Sequence, residues 1–338
     1  MARHLVRCFA SKIRATYSRI YPYIGRANDR GWPLGESHLF KDFDEDAWKR
    51  TVYLIQHDQC TPFIGAGASA EHVPVAGNLA ALLASEYRFP FNDDRDLARV
   101  TQFAAVREGS RQYIKQRFAI DMFAGIPLPD FRAPDEPHAL LADLRLPIYV
   151  TTNYDDFMYE ALADRRRSPQ RAICPWYTKD PGEIMEATKL FRETAGYNPD
   201  STRPIVYHLH GHHSIPESLV LTEDDYIDFL VRVSGDADLL PPVIQKSLRS
   251  KMLLFVGFSL ADWTFRVVFR GLLSARPPLA GHSHVSVQLP PLADDPADDR
   301  PLRIQEYLDR YFELQNISIC WKTARAFSAE LRQRWETR

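Results

Sequence analysis

The segment PIVYHLHGHHS, residues 204–214, holds four of the chain's eleven histidines within six positions. Imidazole is a common metal ligand, and because its pKa lies near neutrality it also serves as a general acid or base. Alternate side chains share a face on an extended strand, so we expect His208, His210 and His212 on one face and Leu209 on the other. This pattern fits a metal site and equally a single catalytic histidine at a strand end.

Three further segments place small or polar residues directly after a short apolar run. They are Gly65-Ala66-Gly67-Ala68-Ser69, Thr151-Thr152-Asn153-Tyr154-Asp155, and Gly257-Phe258-Ser259 with Asp262. Ligands of an open parallel sheet bind beyond the carboxyl ends of its strands. We therefore expect these segments to converge with His210 and Gly211 on one site.

Each segment has a functional and a structural interpretation. The small residues of the glycine turn let a backbone approach a pyrophosphate, and a following helix would offer free amides. The turn lacks the third glycine of the common dinucleotide fingerprint, however, and many such turns only close a strand onto a helix. Asn153 can orient a water or a sugar hydroxyl, and Asp155 can accept a hydrogen bond from a ligand. Helix capping is the alternative role of Asp155 and Asp262.

Apolar strands that alternate with helices predict the elements that position these residues. Strands are expected within the segments CTPFI, PIYVTTN, RAICPWYT, PIVYHLHG, MLLFVGFSL, HVSVQL and ISICWK. This alternation predicts an α/β fold, a Rossmann-like parallel sheet with helices on both faces. Charged, helix-compatible segments at about residues 92–145 predict a helical insertion that forms a second small subdomain.

Composition narrows the function classes. The 338 residues carry a formal net charge of −2, which gives no overall attraction to nucleic acid or to anionic membranes. The cysteines lie far apart and form no C-x-x-C pair, so we expect neither a zinc ribbon nor a disulfide framework; they are Cys8, Cys60, Cys174 and Cys320. No apolar run approaches the roughly 18 residues that span a bilayer. We expect a cytoplasmic protein with no membrane partner and no direct binding of nucleic acid.

The four motifs, in this order, resemble the sirtuin-like (silent-information-regulator-two-like) class of NAD-consuming proteins over about residues 55–275. The match consists of the glycine turn Gly65–Ser69, a T-x-N-x-D element at Thr151–Asp155, the H-G pair His210–Gly211, and G-x-S at Gly257–Ser259. Sirtuin deacylases carry a zinc module with paired C-x-x-C motifs, which this chain lacks. It is more similar to the bacterial NAD-hydrolysing branch, many members of which act in anti-phage defence.

The resemblance implies an NAD+ glycohydrolase, a regulated NAD-depleting defence effector that takes NAD as substrate and needs no metal. Its catalytic residues would be His210 as general base, Asn153, which positions water or a ribose hydroxyl, and Asp155, which grips the nicotinamide carboxamide. The residues implied to bind NAD are Gly65, Ala66, Gly67, Ser69, Thr151, Gly211, Gly257, Ser259 and Asp262.

The resemblance also suggests how the chain is organised and controlled. A basic N-terminal arm or helix, residues 1–45, would precede a sirtuin-like Rossmann-type NAD-binding domain at 46–338, with an irregular excursion at about 178–203. Unregulated NAD hydrolysis would be toxic to the host. We therefore expect control by homo-oligomerisation or by a separately encoded partner, such as a HerA-type ATPase or an Argonaute-like protein.

Two alternatives stay open at this point. The run HLHGHH comes close to the H-x-H-x-D-H ligand pattern of metallo-β-lactamase-like hydrolases, with His208, His210 and His213 as ligands and His212 in place of the acid. The other alternative is a scaffold that binds NAD or ADP-ribose without turnover. A lysine deacylase is disfavoured by the missing zinc module. In the favoured interpretation His210 is the one catalytic residue among the four histidines, His208 orients it, and His212 and His213 line the mouth.

Overall fold

The computed structural model describes residues 43–192, 197–236, 239–258, 283–291 and 299–336. Seven parallel strands in these ranges form one sheet in the order β3-β4-β2-β1-β5-β6-β7. The strands are β1 Cys60–Ile64, β2 Ile148–Thr151, β3 Gln170–Ile173, β4 Ile205–His208, β5 Met252–Val256, β6 His284–Gln288 and β7 Ile317–Trp321. The predicted parallel α/β sheet is therefore confirmed, and each strand overlaps a segment predicted to contain one, with β3 beginning one residue before its segment.

Helices cover both faces of this sheet. The described helices are α1 Glu45–Gln56, α2 Ala76–Tyr87, α3 Leu97–Glu108, α4 Arg111–Phe123, α5 Pro137–Asp143, α6 Phe157–Asp164, α7 Pro181–Arg192, α8 Glu223–Gly235, α9 Pro242–Ser250, α10 Arg300–Glu313 and α11 Ala324–Glu336. Successive residues of a strand enter different cores: Leu254 packs in the cluster that includes α1 and α11, and Phe255 in the cluster that includes α8, α9 and α10. The sheet is thus buried on both faces, as parallel sheets require.

The predicted insertion is helical where the structure describes it. Helices α3, α4 and α5 lie within residues 92–145, and α7 lies within the excursion at 178–203. Helices α2, α3 and α4 share an apolar cluster of their own, which includes Leu79, Ala104 and Phe118 and reaches Leu219 and Leu221 after the histidine segment. The division into domains stays a prediction, and residues 1–42 of the basic arm lie outside the described ranges. None of the helices in those ranges is long and apolar enough to cross a bilayer.

Strand β4 ends earlier than predicted. It stops at His208, and Gly211 then adopts φ +93°, a left-handed conformation that turns the chain out of the sheet. The prediction that the strand extends to His210 and His212 is therefore wrong, because β4 ends at His208. Gly211 packs against the backbone of Ser218, and no local sequence pattern predicts this contact.

Helix α8 is fixed firmly beside the histidine segment. Thr222 and Asp225 form a capping box at its start, in which each side chain accepts a hydrogen bond from the other residue's backbone amide. Lys115 of α4 places its Nζ 2.7 Å from Asp225 Oδ1, and both side chains are buried. These contacts hold the face of α8 that carries Tyr226 and Phe229.

Candidate functional site

The last residues of four adjacent strands lie in one row across the sheet. The register pairs His208 with Thr151, Thr151 with Ile64, and Ile64 with Val256. Strand β1 is also the point at which the chain order changes direction, since β2, β4 and β3 lie on one side of it and β5, β6 and β7 on the other. The segments that follow these four residues therefore meet at the switch point of the sheet, where α/β proteins bind ligands.

The glycine turn after β1 packs directly on the backbone that leaves β5. The amide of Gly65 donates to Val256 O at 2.9 Å, and that of Gly67 donates to Gly257 O at 2.8 Å. A Cβ on Gly65 would lie 2.8 Å from Gly257 O, and one on Gly67 would lie 2.9 Å from Gly257 Cα. Gly257 itself has φ +82°. The three glycines are thus required by backbone packing, whatever ligand the turn binds.

The turn does not lead straight into a long helix. The turn itself contains a three-residue 3-10 helix, Ala66–Ala68, and α2 begins only at Ala76. The amides of Ala68 and Ser69 donate to Gly65 O and Ala66 O. These two amides are therefore engaged within the turn, and binding of a phosphate there stays a prediction.

A polar network joins the turn to the end of β2. Asn153 Nδ2 donates to Gly65 O and to Ser69 Oγ, both at 3.1 Å, and Ser69 Oγ donates to Asp155 Oδ2 at 2.9 Å. The backbone amide of Asn153 donates to Thr151 Oγ1. Because Gly65 O can only accept, the amide orientation of Asn153 is fixed. Among the described residues, none donates to Asn153 Oδ1, which leaves this oxygen available to a hydroxyl or water.

Asp155 lies behind this network. Its Oδ1 accepts from the backbone amide of Phe157, the first residue of α6, and its Oδ2 accepts from Ser69. The side chain is buried at 7% exposure. The structure thus shows the helix-start contact that was the alternative interpretation of Asp155, together with a contact that orients Ser69.

His210 follows β4 and lies in an aromatic pocket of α8. Its ring centroid is 4.9 Å from that of Phe229 and 5.7 Å from that of Tyr226, both edge-to-face. Its Nε2 is buried without a hydrogen-bond partner among the described residues. Burial alone lowers the pKa of His210 to about 3, so the imidazole is neutral at physiological pH and Nε2 or Nδ1 can accept a proton.

His208, the last residue of β4, connects the segment that carries His210 to the Asn153 network. Its Nδ1 lies 3.1 Å from the backbone oxygen of Asn153. Burial, with a smaller contribution from neighbouring charges, lowers the pKa of His208 to about 3. The neutral ring therefore donates from Nδ1 to that oxygen, which ties the ends of β4 and β2 together.

The other two histidines lie away from His210. His212 is fully buried and does not line a mouth as predicted, whereas His213 is partly exposed. Both approach Asp156, which sequence reasoning did not single out. The ligand set His208, His210 and His213, predicted for a metallohydrolase, does not gather in the described part of the chain; the group with metal-ligand spacing there is Asp156, His212 and His213.

Two predicted NAD-binding residues, Ser259 and Asp262, lie outside the described residues. Of the others, Thr151 donates from Oγ1 to Ile64 O at 3.2 Å and so joins β2 to β1. Ala66 lies in the short helix of the glycine turn, beside Gly67.

Comparison with known families decides the classification. A family model described as SIR2-like domain matches residues 147–319, just over half of the chain. The chain belongs to the SIR2-like family. The matched range includes the Asn153 cluster, the histidine segment and Gly257, and the glycine turn Gly65–Ser69 precedes it.

Individual relatives of this SIR2-like chain share a name. "NAD(+) hydrolase ThsA" of Acinetobacter baumannii is 27% identical over 221 residues, which are 63% of this chain and 39% of that protein. The ThsA of Bacillus cereus is 27% identical over 226 residues, 66% of this chain and 40% of that protein. The chain spans about two fifths of the length of these curated relatives.

A solved structure described as "Structural Basis for the Mechanism and Regulation of Sir2 Enzymes" aligns with 87% of this chain and 98% of its own, at 13% identity and a TM-score of 0.34. A TM-score of 0.34 does not support a comparison of the two folds. We therefore describe the fold of this SIR2-like chain by its own strand order.

Sequence reasoning missed the aromatic wall of the SIR2-like site. Tyr226 and Phe229 are three residues apart, a spacing that places both on one face of a helix. That signal was present in the sequence. The direction in which the face points depends on the capping box at Thr222 and on Lys115, and neither contact is local to the histidine segment.

Ser69→Ala tests the network behind the SIR2-like site. The substitution removes the hydroxyl that joins Asn153 to Asp155 and leaves both buried groups short of a partner, so we expect a loss of about 1–3 kcal/mol in the free energy of unfolding. Denaturant titration measures it. Ser250→Ala, at a half-buried serine whose hydroxyl only meets its own helix, should change stability by less than about 0.5 kcal/mol. Equal values for the two variants would contradict the network's role.

Proposed function

We propose that this chain is an NAD+ glycohydrolase that breaks the bond between nicotinamide and ribose. Water forms a bond to the ribose carbon that nicotinamide leaves, so one NAD+ and one water give nicotinamide, ADP-ribose and a proton. The observation that carries the proposal is the buried Nε2 of His210, which has no partner among the described residues and follows the end of β4 by two residues, together with the available Oδ1 of Asn153, which follows the paired end of β2 by two residues. The names of the ThsA relatives support NAD+ as the substrate.

His210 is proposed as the general base. A neutral imidazole in a pocket of apolar rings can accept a proton from a ribose hydroxyl or from the attacking water as positive charge develops on the sugar. The same pocket excludes competing solvent, because Phe229 is fully buried against the ring. The buried nitrogen without a partner is thus explained by the hydrogen bond that a substrate would supply.

Asn153 is proposed to hold the water or a ribose hydroxyl through Oδ1, since its Nδ2 is already committed to Gly65 O and Ser69 Oγ. For Asp155 we propose a positioning role, because its carboxylate already serves Ser69 and the start of α6. This differs from the grip on the carboxamide that the resemblance implied.

The remaining residues are proposed to bind the dinucleotide. Gly65, Ala66, Gly67 and Ser69 would face the pyrophosphate, and Gly257 with Ser259 and Asp262 would lie by the adenosine half, with Thr151 and Gly211 shaping the floor. We also propose, from the resemblance alone, that cleavage is a regulated, NAD-depleting defence activity in the cytoplasm. Homo-oligomerisation or a partner such as a HerA-type ATPase or an Argonaute-like protein would control it.

Incubation of the purified chain with NAD+, followed by chromatography, tests the chemistry. We expect nicotinamide and ADP-ribose in equal amounts. A cyclic product would show that a hydroxyl or amine of the substrate replaces water as the acceptor. Consumption of NAD+ only when an acyl-lysine peptide is present would contradict hydrolysis and indicate a deacylase.

A further inference from the structure

A second group of chemically active side chains lies apart from His210. We call it the Asp156 cluster; it consists of Asp156, which precedes α6, and of His212 and His213, which follow the turn at Gly211. One potential ligand atom from each residue lies within 4.8 Å of the others. His212 Nε2 lies 3.0 Å from Asp156 Oδ1, and His213 Nε2 lies 3.2 Å from Asp156 Oδ2. The proposed cleavage assigns no role to any of these three residues.

These separations suit a small divalent ion. Zinc binds imidazole nitrogen and carboxylate oxygen at about 2.0–2.2 Å, so neighbouring ligand atoms in a tetrahedral site lie about 3.4 Å apart. The 3.2 Å between His213 Nε2 and Asp156 Oδ2 is slightly shorter than that value. The 3.0 Å contact of His212 Nε2 is with Oδ1, so a rotation of the carboxylate would have to bring Oδ2 to both rings.

The contacts around the cluster are those that orient metal ligands. Arg171 pairs with Asp156 Oδ1, which leaves Oδ2 to face an ion. His212 Nδ1 accepts from the backbone amide of Ser214 at 3.2 Å, so Nε2 carries the proton that meets Asp156 in the metal-free chain; when an ion takes Nε2, that proton moves to Nδ1, where Ser214 Oγ at 2.8 Å can accept it. The ring of His213 stacks on Phe123 at 5.2 Å with an interplanar angle of 17°. Partners of this kind fix the tautomer and direction of metal-binding side chains.

We propose that Asp156 Oδ2, His212 Nε2 and His213 Nε2 bind one divalent transition-metal ion of the zinc class. His212 is buried, while the side chains of Asp156 and His213 are 25% and 29% exposed, so the ion can enter from solvent and water can take the fourth position. His210 supplies no ligand, so this ion is separate from the proposed cleavage of NAD+. It would join the residues after β4 to those after β2.

Zinc alone is the probe for this site. Isothermal titration of the metal-stripped chain with Zn2+ should give one ion per chain, and cobalt should give the intense visible absorption of a tetrahedral site. His213→Ala removes a ligand that is partly exposed, and we expect at least about 100-fold weaker binding. Ser214→Ala alters only the orienting hydrogen bond and should weaken binding by about 10–100-fold.

His57→Ala is the matched control, because His57 is exposed at the end of α1 and should leave zinc binding unchanged. Thermal unfolding of each metal-free variant checks that it is folded, and Zn2+ should raise the melting temperature of wild type but not of His213→Ala. The proposal is overturned if wild type shows no saturable binding of zinc, or if His213→Ala and Ser214→Ala both bind it as tightly as wild type. Neither result depends on whether NAD+ is cleaved.

Discussion

His210→Ala is expected to slow the release of nicotinamide from NAD+ by about 10²–10⁴-fold, the usual contribution of a general base. The imidazole packs edge-to-face against Tyr226 and Phe229 and its Nε2 has no partner in the described part of the chain, so truncation breaks no side-chain hydrogen bond seen there. The backbone bond from Val220 to His210 O stays. Nicotinamide release should fall while binding of NAD+, measured by calorimetry, changes much less.

Two further variants separate chemistry from folding in this experiment. His210→Gln keeps more of the side-chain volume in the pocket and should be as slow as His210→Ala, since an amide does not act as a base at neutral pH. His57→Ala, at an exposed position, should keep the wild-type rate. A His210→Ala protein that folds, binds NAD+ and releases nicotinamide at the wild-type rate would remove His210 from the mechanism.

Gly211→Ala is expected to lower the free energy of unfolding by about 2–5 kcal/mol. Gly211 has φ +93°, where an L-residue is strained by about 1–2 kcal/mol, and its new Cβ would overlap the carbonyl group of Ser218. Relief of that overlap costs about 1–3 kcal/mol more. Because Gly211 follows His210 directly, the backbone shift should also displace the imidazole. Chemical denaturation measures the first effect.

Two other glycines separate strain from overlap. Gly109 has φ +70° with open space around a built Cβ, so Gly109→Ala should cost only the strain, about 1–2 kcal/mol. Gly235 lies in the last turn of α8 with nothing near its built Cβ, and Gly235→Ala should stabilise the chain by about 0.5–1 kcal/mol. If Gly211→Ala lowers the free energy of unfolding no more than Gly109→Ala does, the contact with Ser218 does not contribute to stability.

The sheet could be predicted because its signal is local. Strands β1, β2 and β5 are short, largely apolar runs that are fully buried, and polar or glycine residues follow their last residues, Ile64, Thr151 and Val256. Parallel pairing then brings those ends to one edge without any further information. The grouping of Gly65, Asn153 and His210 follows from that topology.

The side-chain contacts within the site join segments that are far apart in the sequence, and the sequence pattern does not predict them. Asp155 accepts a hydrogen bond from Ser69, which lies 86 positions away, and for this reason we propose a positioning role for it instead of the substrate contact that the resemblance implied. His212 is buried because Asp156, 56 positions away, meets it. The glycines of the turn were predicted to let a pyrophosphate approach the backbone. The structure adds a second requirement for glycine, because Gly257 packs directly on them.

Release of nicotinamide from NAD+ under single turnover tests the central claim most directly. The purified chain is held in excess over NAD+, and wild type is compared with Asn153→Ala and His210→Ala. We predict that wild type converts the bound NAD+ to equal amounts of nicotinamide and ADP-ribose, and that both variants leave it intact over the same period. Wild-type protein that binds NAD+ and returns it uncleaved, or variants that cleave it as fast as wild type, would contradict the account.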